Sequence, residues 1–326
     1  MSLGNPERPV GGLAVRAPAG VELRPLGRDD LTEAVALARD GHGARSIDDL
    51  DGLRPRFEAL LSSSDVTPFV AESGGAAAGI AILHFRRRLN FTSFEGWISE
   101  LFVRPVARGH GIGRALLDAL VAEWRLRGGH RLQIQVPDQA AAAEALLARA
   151  GLEAWMLDFE QRPVASPVRV EPPPGVTLRS AHDGDGEVVT SLLSEFGAPR
   201  TPPPERMDAV LRTFDDHLRR VEKGEARLIV AEQDGVAVGA CSLEWRAPFW
   251  TEEIHAWLPD LVVTESARGR GIGSALLADA MGAAAKRGAT QLSLESGRTR
   301  TAAHHLYRSR GFRETGQTYR LLRAEW

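Results

Sequence analysis

The sequence predicts two copies of one α/β domain, each with a mixed β-sheet and helices on its faces. Three observations support this: a repeat with a constant offset of 160 residues, a strand–glycine turn–helix motif in each copy, and a proline-rich segment between the copies. Arg268 corresponds to Arg108 and Gly311 to Gly151, and the offset holds without a gap from about residue 66 to residue 151. Such a long repeat indicates duplication of a complete folding unit.

Prolines mark the junction between the copies. Residues 161–174 contain five prolines, three of them consecutive, and proline cannot continue a helix or a central strand. We therefore expect a tail at residues 1–19, an N-terminal half at 20–160, a linker at 161–174 and a C-terminal half at 175–326. Upstream of the gap-free stretch the offset falls from 160 to 155, which indicates an insertion in the second copy at residues 198–204.

Each half is predicted to have the element order β-α-α-β-β-β-α-β-α-β. A short strand begins each half, at about residues 21–26 and 176–180, and two helices follow it. Gly-Gly at residues 74–75 and Asp-Gly at 234–235 separate apolar runs and predict hairpins. A further strand enters the glycine turn, and a helix, a buried strand, a helix and a last strand follow. This alternation is typical of a mixed sheet covered by helices.

Composition restricts the class of function. The chain has 326 residues, a net charge of −3 and 25% charged residues, so neither nucleic acid nor a membrane surface is indicated as a partner. No apolar run is long enough to span a bilayer, and we expect no signal peptide. Cys241, the single cysteine, lies in an apolar run, which predicts a buried thiol. We expect a cytoplasmic protein without a metal.

The glycine turns at residues 108–114 and 268–274 predict two anion sites. Glycine permits positive φ and leaves backbone N–H groups uncovered, and the N-terminus of the following helix adds partial positive charge. A pyrophosphate is the most plausible anion. A P-loop would need Gly-Lys-Ser/Thr after four spacers, and a dinucleotide fingerprint would follow the first strand of a parallel sheet, so neither explains these turns.

Two motifs of the C-terminal half resemble those of the GNAT N-acetyltransferase superfamily. Residues 268–273, between a strand and a helix, are similar to the family signature Arg/Gln-x-x-Gly-x-Gly/Ala. Residues 303–312 are similar to the closing helix of the family, Ala-x-x-x-Tyr-x-x-x-Gly-Phe. The resemblance covers both halves, which indicates a tandem member. One departure is Arg300, where many relatives carry an asparagine.

The resemblance implies transfer of an acetyl group from acetyl-CoA to an amine, with one acetyl-CoA in each half as a further expectation. In the family the pantetheine arm lies between two splayed strands, and a backbone N–H of the strand before the turn polarises the thioester carbonyl. The residues expected to bind acetyl-CoA are Leu261, Val262, Val263, Arg268, Gly269, Arg270, Gly271, Ile272, Gly273 and Ser274 in the C-terminal half, and Phe102, Val103, Arg108, Gly109, His110, Gly111, Ile112, Gly113 and Arg114 in the N-terminal half.

Three residues of the C-terminal half are candidates for proton transfer. The resemblance implies that Tyr307 protonates the leaving thiolate; the alternative is a core-facing aromatic side chain. Asp260 interrupts an apolar strand just before the turn and is the preferred base for the amine. A purely structural role in the sheet is the alternative for Asp260, and Glu295 is its competitor as base.

The N-terminal half differs at these three positions. Leu147, Glu100 and Gln135 stand where the C-terminal half has the tyrosine, the aspartate and the glutamate. Because leucine cannot donate a proton, this half either binds acetyl-CoA without efficient turnover or uses water as the acid. We therefore assign catalysis to the C-terminal half.

The acceptor is the least defined part of the prediction. The loop at residues 245–257 is aromatic and acidic, which suits a small cation with apolar bulk, although its aromatic residues could equally pack between the halves. We expect a small-molecule primary amine as the acceptor. The alternatives are a protein or peptide acetyltransferase and a non-catalytic acyl-CoA-binding sensor. The two halves could form an internal pseudo-dimer, so we expect a monomer or a homodimer.

Overall fold

The computed structural model describes residues 17–43, 50–162, 164, 170–195 and 204–323. The predicted tail therefore lies outside the described residues up to residue 16, as do part of the predicted linker and the predicted insertion up to residue 203. No helix within these ranges is long and apolar enough to cross a bilayer.

The predicted order of elements is confirmed in both halves. The N-terminal half contains β1 Val21–Pro25, α1 Leu31–His42, α2 Arg54–Ser62, β2 Val66–Ser73, β3 Ala76–Arg87, β4 Phe94–Val103, α3 Ile112–Leu126, β5 Arg131–Pro137, α4 Ala141–Arg149 and β6 Glu153–Gln161. The C-terminal half contains β7 Val176–Ser180, α5 Gly186–Ser194, α6 Pro204–Glu222, β8 Ala226–Gln233, β9 Val236–Arg246, β10 Ile254–Val263, α7 Ile272–Lys286, β11 Ala289–Gly297, α8 Thr301–Ser309 and β12 Arg313–Leu322.

The strands form one mixed sheet of twelve strands in the order β1-β2-β3-β4-β5-β12-β6-β11-β10-β9-β8-β7. The last strand of each half is exchanged: β12 pairs with β5 of the N-terminal half, and β6 pairs with β11 of the C-terminal half. The exchanged strands β6 and β12 pair with each other, antiparallel, at the centre. Each half is therefore completed by a strand of the other.

A pseudo-twofold axis passes between β6 and β12. Leu157 lies opposite Gln317, its equivalent 160 residues later. The hydroxyl of Thr318 donates a hydrogen bond to Asp158, which is again its equivalent. Equivalent residues of two copies meet only near a symmetry axis, so the duplicated sequence has folded with internal pseudo-twofold symmetry.

The sheet is strongly curved. Six strand spacings separate β3 from β10, which would be about 29 Å in a flat sheet. The guanidinium carbon of Arg86 on β3 nevertheless lies 4.2 Å from the ring centre of Trp257 on β10. Helices α3 and α4 pack on the opposite face of β3 from α1 and α2, and α7 and α8 do the same in the C-terminal half. The concave face of the sheet thus carries α1, α2, α5 and α6.

Two loops cross between the halves. The loop after β9 buries Phe249 and Trp250 against α1 and α2, and the loop after β3 buries Leu89 against α5 and α6. Arg56 on α2 donates to the carbonyl oxygens of residues 251 and 253 at 2.6 and 2.7 Å. Phe249 and Trp250 therefore pack between the halves. This is one of the two roles that the sequence allows for the aromatic residues of the loop at 245–257, the other being contact with the acceptor.

Candidate active site

Both glycine turns have the predicted backbone conformation. Gly269 and Gly271 have φ values of 76° and 91°, and Gly109 and Gly111 have 82° and 83°. These values lie in the left-handed region, which glycine enters without the clash of a Cβ atom. Helices α7 and α3 begin directly after the second glycine of each turn, and residues 108–111 and 268–271 are exposed. Each turn thus presents backbone N–H groups and a helix N-terminus to an anion.

The strand before each turn separates from its parallel neighbour. β10 pairs with β11 only as far as Trp257, and its pairing with β9 shifts register between Trp257 and Asp260. β4 pairs with β5 only as far as Ile98, and its pairing with β3 shifts between Ile98 and Glu100. A β-bulge of this kind bends the strand and redirects its backbone groups. The result in each half is a gap that widens toward the glycine turn.

Backbone N–H groups point into both gaps. Because Thr264 donates its N–H to β9, the alternation of an antiparallel pair turns the N–H groups of Leu261 and Val263 away from β9, toward the gap. The N–H of Val262 instead points toward β9. By the same alternation the N–H of Val103 points into the gap of the N-terminal half, whereas the N–H of Phe102 points toward β3. An N–H in this position can donate to a thioester carbonyl.

Two arginines fasten the turns to the strands that precede them. Arg268 Nε donates to the carbonyl oxygen of Val263 at 2.9 Å, and Arg108 Nε donates to that of Val103 at 3.0 Å. Both side chains thereby hold the turn against the mouth of the gap, which fixes the direction of its N–H groups.

Tyr307 lies in the core on the convex face of the C-terminal half. Its ring is buried and packs against Phe159 of the exchanged strand β6 and against Phe312, with ring centres 5.6 and 6.0 Å apart. Burial raises the pKa of Tyr307 to about 12, against the opposing effect of the charge of Arg300. The phenol therefore carries its proton at neutral pH, as an acid must. Its equivalent Leu147 is buried in the core of the N-terminal half.

Asp260 lies on the concave side and is held by both halves. Arg88, from the loop after β3, donates to Asp260 Oδ1 at 2.8 Å, and Ser242 on β9 donates to Oδ2 at 2.8 Å. Arg88 also donates to the carbonyl oxygen of Pro259 at 2.9 Å. Both carboxylate oxygens are thus engaged, one by a guanidinium and the other by a hydroxyl.

Glu295 lies next to the pseudo-twofold axis. It accepts hydrogen bonds from Gln135 Nε2 at 2.9 Å and from Trp257 Nε1 at 2.7 Å. Asp158 on β6 lies directly opposite Glu295. Burial, followed by repulsion from Glu295, raises the pKa of Asp158 to about 8. Sequence reasoning missed this protonated acid because nothing in the sequence indicates that β6 lies beside β11.

Glu100 occupies the position of Asp260 in the N-terminal half but has different partners. Trp250 Nε1 donates to Oε1 at 3.1 Å, and His42 Nε2 lies 2.9 Å from Oε2. The imidazole stacks on the indole with ring centres 4.3 Å apart. Burial alone would lower the pKa of His42, but the Glu100 carboxylate raises it above its usual value.

The concave face also carries an arginine–tryptophan cluster, formed by Arg86, Arg246, Trp97 and Trp257. The two arginines are equivalents, as are the two tryptophans. The guanidinium carbon of Arg86 lies 4.7 and 4.2 Å from the two indole ring centres, and that of Arg246 lies 4.1 Å from both. Burial, followed by repulsion from Arg86, lowers the pKa of Arg246 to about 9. Nothing in the sequence indicates that these two arginines meet, because β3 and β9 are far apart in the order of strands.

Known proteins share this sequence pattern. The model of the Acetyltransferase (GNAT) family matches the chain twice, over residues 34–152 and 189–312. Mycothiol acetyltransferase of Cellulomonas flavigena is 30% identical over 233 residues, which are 67% of this chain and 64% of that protein. Mycothiol acetyltransferase of Sanguibacter keddieii is 27% identical over 311 residues, which are 90% of this chain and 92% of that protein.

Solved structures share the fold. A GCN5-related N-acetyltransferase from Sphaerobacter thermophilus has a TM-score of 0.64 at 20% identity and covers 94% of this chain and 97% of its own. A tandem GNAT protein from the clavulanic acid biosynthesis pathway has a TM-score of 0.60 at 18% identity and covers 93% and 98%. Together with the two family matches, the glycine turns and the strand gaps, this similarity establishes that the chain belongs to the GNAT acetyltransferase family, as a two-domain member with acetyl-CoA as co-substrate.

Proposed function

We propose that this protein transfers the acetyl group of acetyl-CoA to a primary amine of a small molecule, and that the C-terminal half carries out the transfer. One observation supports the proposal: Asp260 lies on one face of the strand that borders the gap, and a protonated phenol, Tyr307, packs in the core on the other face of the sheet. The N-terminal half has a similar gap but has Leu147 in place of the phenol.

The residues of the C-terminal half can assist each stage of direct attack. The N–H of Leu261 donates to the thioester carbonyl oxygen and stabilises the negative charge that develops there. Asp260 accepts the proton that the ammonium group must lose, from the concave face. Tyr307, on the convex face, donates its proton to the departing sulfur, and it recovers a proton from solvent when the nitrogen loses its second proton to solvent after the bond has formed. The amine nitrogen thus forms its bond to the acetyl carbon as the carbon–sulfur bond breaks.

The enclosure of the concave face favours a small acceptor. The loop after β9 and the loop after β3 both cross this face and anchor in the opposite half. A protein substrate would require an open groove, and two loops that cross the same face narrow any such groove. The relatives named mycothiol acetyltransferase also carry the name of a small molecule.

Turnover of acetyl-CoA on a panel of small primary amines tests the proposal, with release of free thiol as the readout. We expect at least one small amine to exceed lysine-containing and N-terminal peptides in kcat/KM. A higher kcat/KM for the peptides would overturn the choice of a small acceptor. The absence of thiol release with every amine, although acetyl-CoA binds, would overturn the transferase proposal.

The number of bound acetyl-CoA molecules is a separate question. The two turns have the same backbone geometry, so we propose that each half binds one molecule. Titration calorimetry should give two per chain, and a stoichiometry of one would contradict this part of the proposal.

A further inference from the structure

The arginine–tryptophan cluster carries positive charge that its protein neighbours leave without a direct partner. Within the described part of the chain, the side chain of Arg246 has neither an ion pair nor a hydrogen bond to another protein group, and its Nη2 atom is buried. Arg86 uses Nη2 to bind Glu95 at 2.6 Å, while its Nε and Nη1 atoms are buried and unpaired among the described residues. Guanidinium N–H donors that are largely removed from water and lack a direct partner are costly, so their presence indicates a role in binding.

The carboxylates around the cluster are already engaged elsewhere. Their partners are Arg86 and Arg131 for Glu95, Arg88 for Asp260, Arg220 for Glu244, and Gln135 with Trp257 for Glu295. Stacking on two indole faces stabilises a guanidinium but brings no negative charge. The planar donors of Arg246 therefore remain available to an anion from outside the protein.

The cluster lies next to the candidate base. The guanidinium of Arg88 binds Asp260 at 2.8 Å and lies 5.2 Å from the ring centre of Trp257, which also contacts Arg246. Arg246, Trp97 and Asp260 all remain partly exposed although they lie on the enclosed concave face. One small molecule can therefore reach the cluster and the carboxylate together.

We propose that Arg246 and Arg86 bind an anionic group, a carboxylate or a phosphate, of the amine acceptor. This inference rests on the proposed function and assigns the acceptor to the class of amines that carry an acid group. Guanidinium binds either group through paired N–H donors, which fixes the orientation of the ligand as well as its position. Held in this way by its acid group, the acceptor directs its amine toward Asp260 and the gap.

Matched acceptors test the proposal. The probes are ω-amino acids of increasing chain length, their uncharged amides, and aminoalkyl phosphates of the same length. We expect the best acid to exceed its amide about tenfold or more in kcat/KM, mainly through KM. A preference for carboxylates or for phosphates identifies the anion. Equal kcat/KM for acids and amides would overturn the proposal.

Variants connect the preference to the cluster. Arg246→Gln should reduce the ratio of kcat/KM for the acid to kcat/KM for its amide to about one. Arg246→Lys keeps the charge but not the paired donors, so it should give an intermediate ratio. Arg287, an exposed arginine 4.9 Å from the ring centre of Trp245, is the matched control, and Arg287→Gln should keep the parent ratio. If folded Arg246→Gln keeps the parent ratio of kcat/KM, the cluster only stabilises the fold and does not bind the acceptor.

A binding measurement separates this inference from the proposed function. Tryptophan fluorescence is followed while acetate, butyrate and inorganic phosphate are added to the parent and to Arg246→Lys. Saturable quenching in the parent that weakens in the variant supports the anion site even if no amine is acetylated, an outcome that would overturn only the proposed function. No saturable change with any of the three anions, together with acetylation of neutral amines alone, would overturn the anion site and leave the transferase proposal intact.

Discussion

Two carboxylates occupy equivalent positions beside the two strand gaps, and the opposite half supplies a partner to each. Asp260 is bound by Arg88, a permanent cation from the N-terminal half. Glu100 is bound by Trp250 from the C-terminal half and by His42, whose charge depends on pH. The two copies thus have a carboxylate at the same position but differ in the groups that bind it.

The comparison shows that each of the two sites is built from residues of both halves. Phe159 of the N-terminal half packs on Tyr307, and Arg88 of the same half holds Asp260. Under the proposed function, in which only the C-terminal half carries out the transfer, the N-terminal half is still needed as a support for it. These contacts would then explain why a copy with Leu147 at the position equivalent to Tyr307 is retained.

The largest expected effect comes from the residue that distinguishes the halves most clearly. Tyr307→Phe should lower kcat by about 10² or more, the range typical of acid–base groups, with little change in acetyl-CoA binding. Steady-state kinetics and titration calorimetry measure the two quantities. The chain has two tyrosines, so Tyr319→Phe in the core of the N-terminal half is the matched control. A kcat of Tyr307→Phe within about twofold of the parent would refute the role of the acid.

Asp158, on the axis between the halves, should make stability depend on pH. Its pKa is about 8 in the folded chain and 3.8 as its usual value, so the folded state holds this proton more tightly and loses stability as pH rises from about 4 to about 8. The asparagine of Asp158→Asn does not titrate. The free energy of unfolding of this variant should therefore rise relative to that of the parent by on the order of a few kcal/mol between pH 5 and pH 8.5. Urea unfolding at several pH values measures this gain. A difference between Asp158→Asn and the parent that stays constant over this pH range would mean that Asp158 is ionised in the folded protein.

Alanine in the glycine turns should separate binding from turnover. Gly271→Ala and Gly111→Ala each force a Cβ atom into the left-handed region, at a cost of about 1–2 kcal/mol, or about tenfold in the affinity of that half for acetyl-CoA. At acetyl-CoA concentrations below saturation, we expect Gly271→Ala to lower the rate of acetylation and Gly111→Ala to leave it unchanged. An equal loss in Gly111→Ala would show that the N-terminal half takes part in turnover.

The smallest expected effect concerns His42 and Glu100. Because the folded pKa of His42 is raised, its stabilising contribution is fully present below pH 6.5 and is lost as pH rises through the folded pKa. His42 is 42% exposed, so solvent screening limits the effect, and His42→Gln should cost about 0.5 kcal/mol more at pH 5.5 than at pH 8.5. Arg88→Gln, which removes a permanent charge, should show no such change. If the loss of stability depended on pH equally in His42→Gln and Arg88→Gln, the two carboxylates would not differ in the way described.

The sequence predicted the elements and the glycine turns because local patterns determine them. Gly271 must precede a helix and accept positive φ, and both requirements are visible within a few residues. The exchange of β6 and β12 has no such local signal, since either strand presents the same alternating faces to either half. Arg88 and Asp158 acquire their roles only through this long-range arrangement. The division of the chain at residues 161–174 and the catalytic roles remain predictions.

The exchanged strands have a consequence for biosynthesis. The sheet of the N-terminal half lacks a neighbour for β5 until β12, which ends at Leu322, has left the ribosome. The nascent chain therefore carries an open edge at β5 while the entire second copy is translated. An open edge readily pairs with other strands, so this interval is when a nascent chain is most exposed to pairing with another copy of itself.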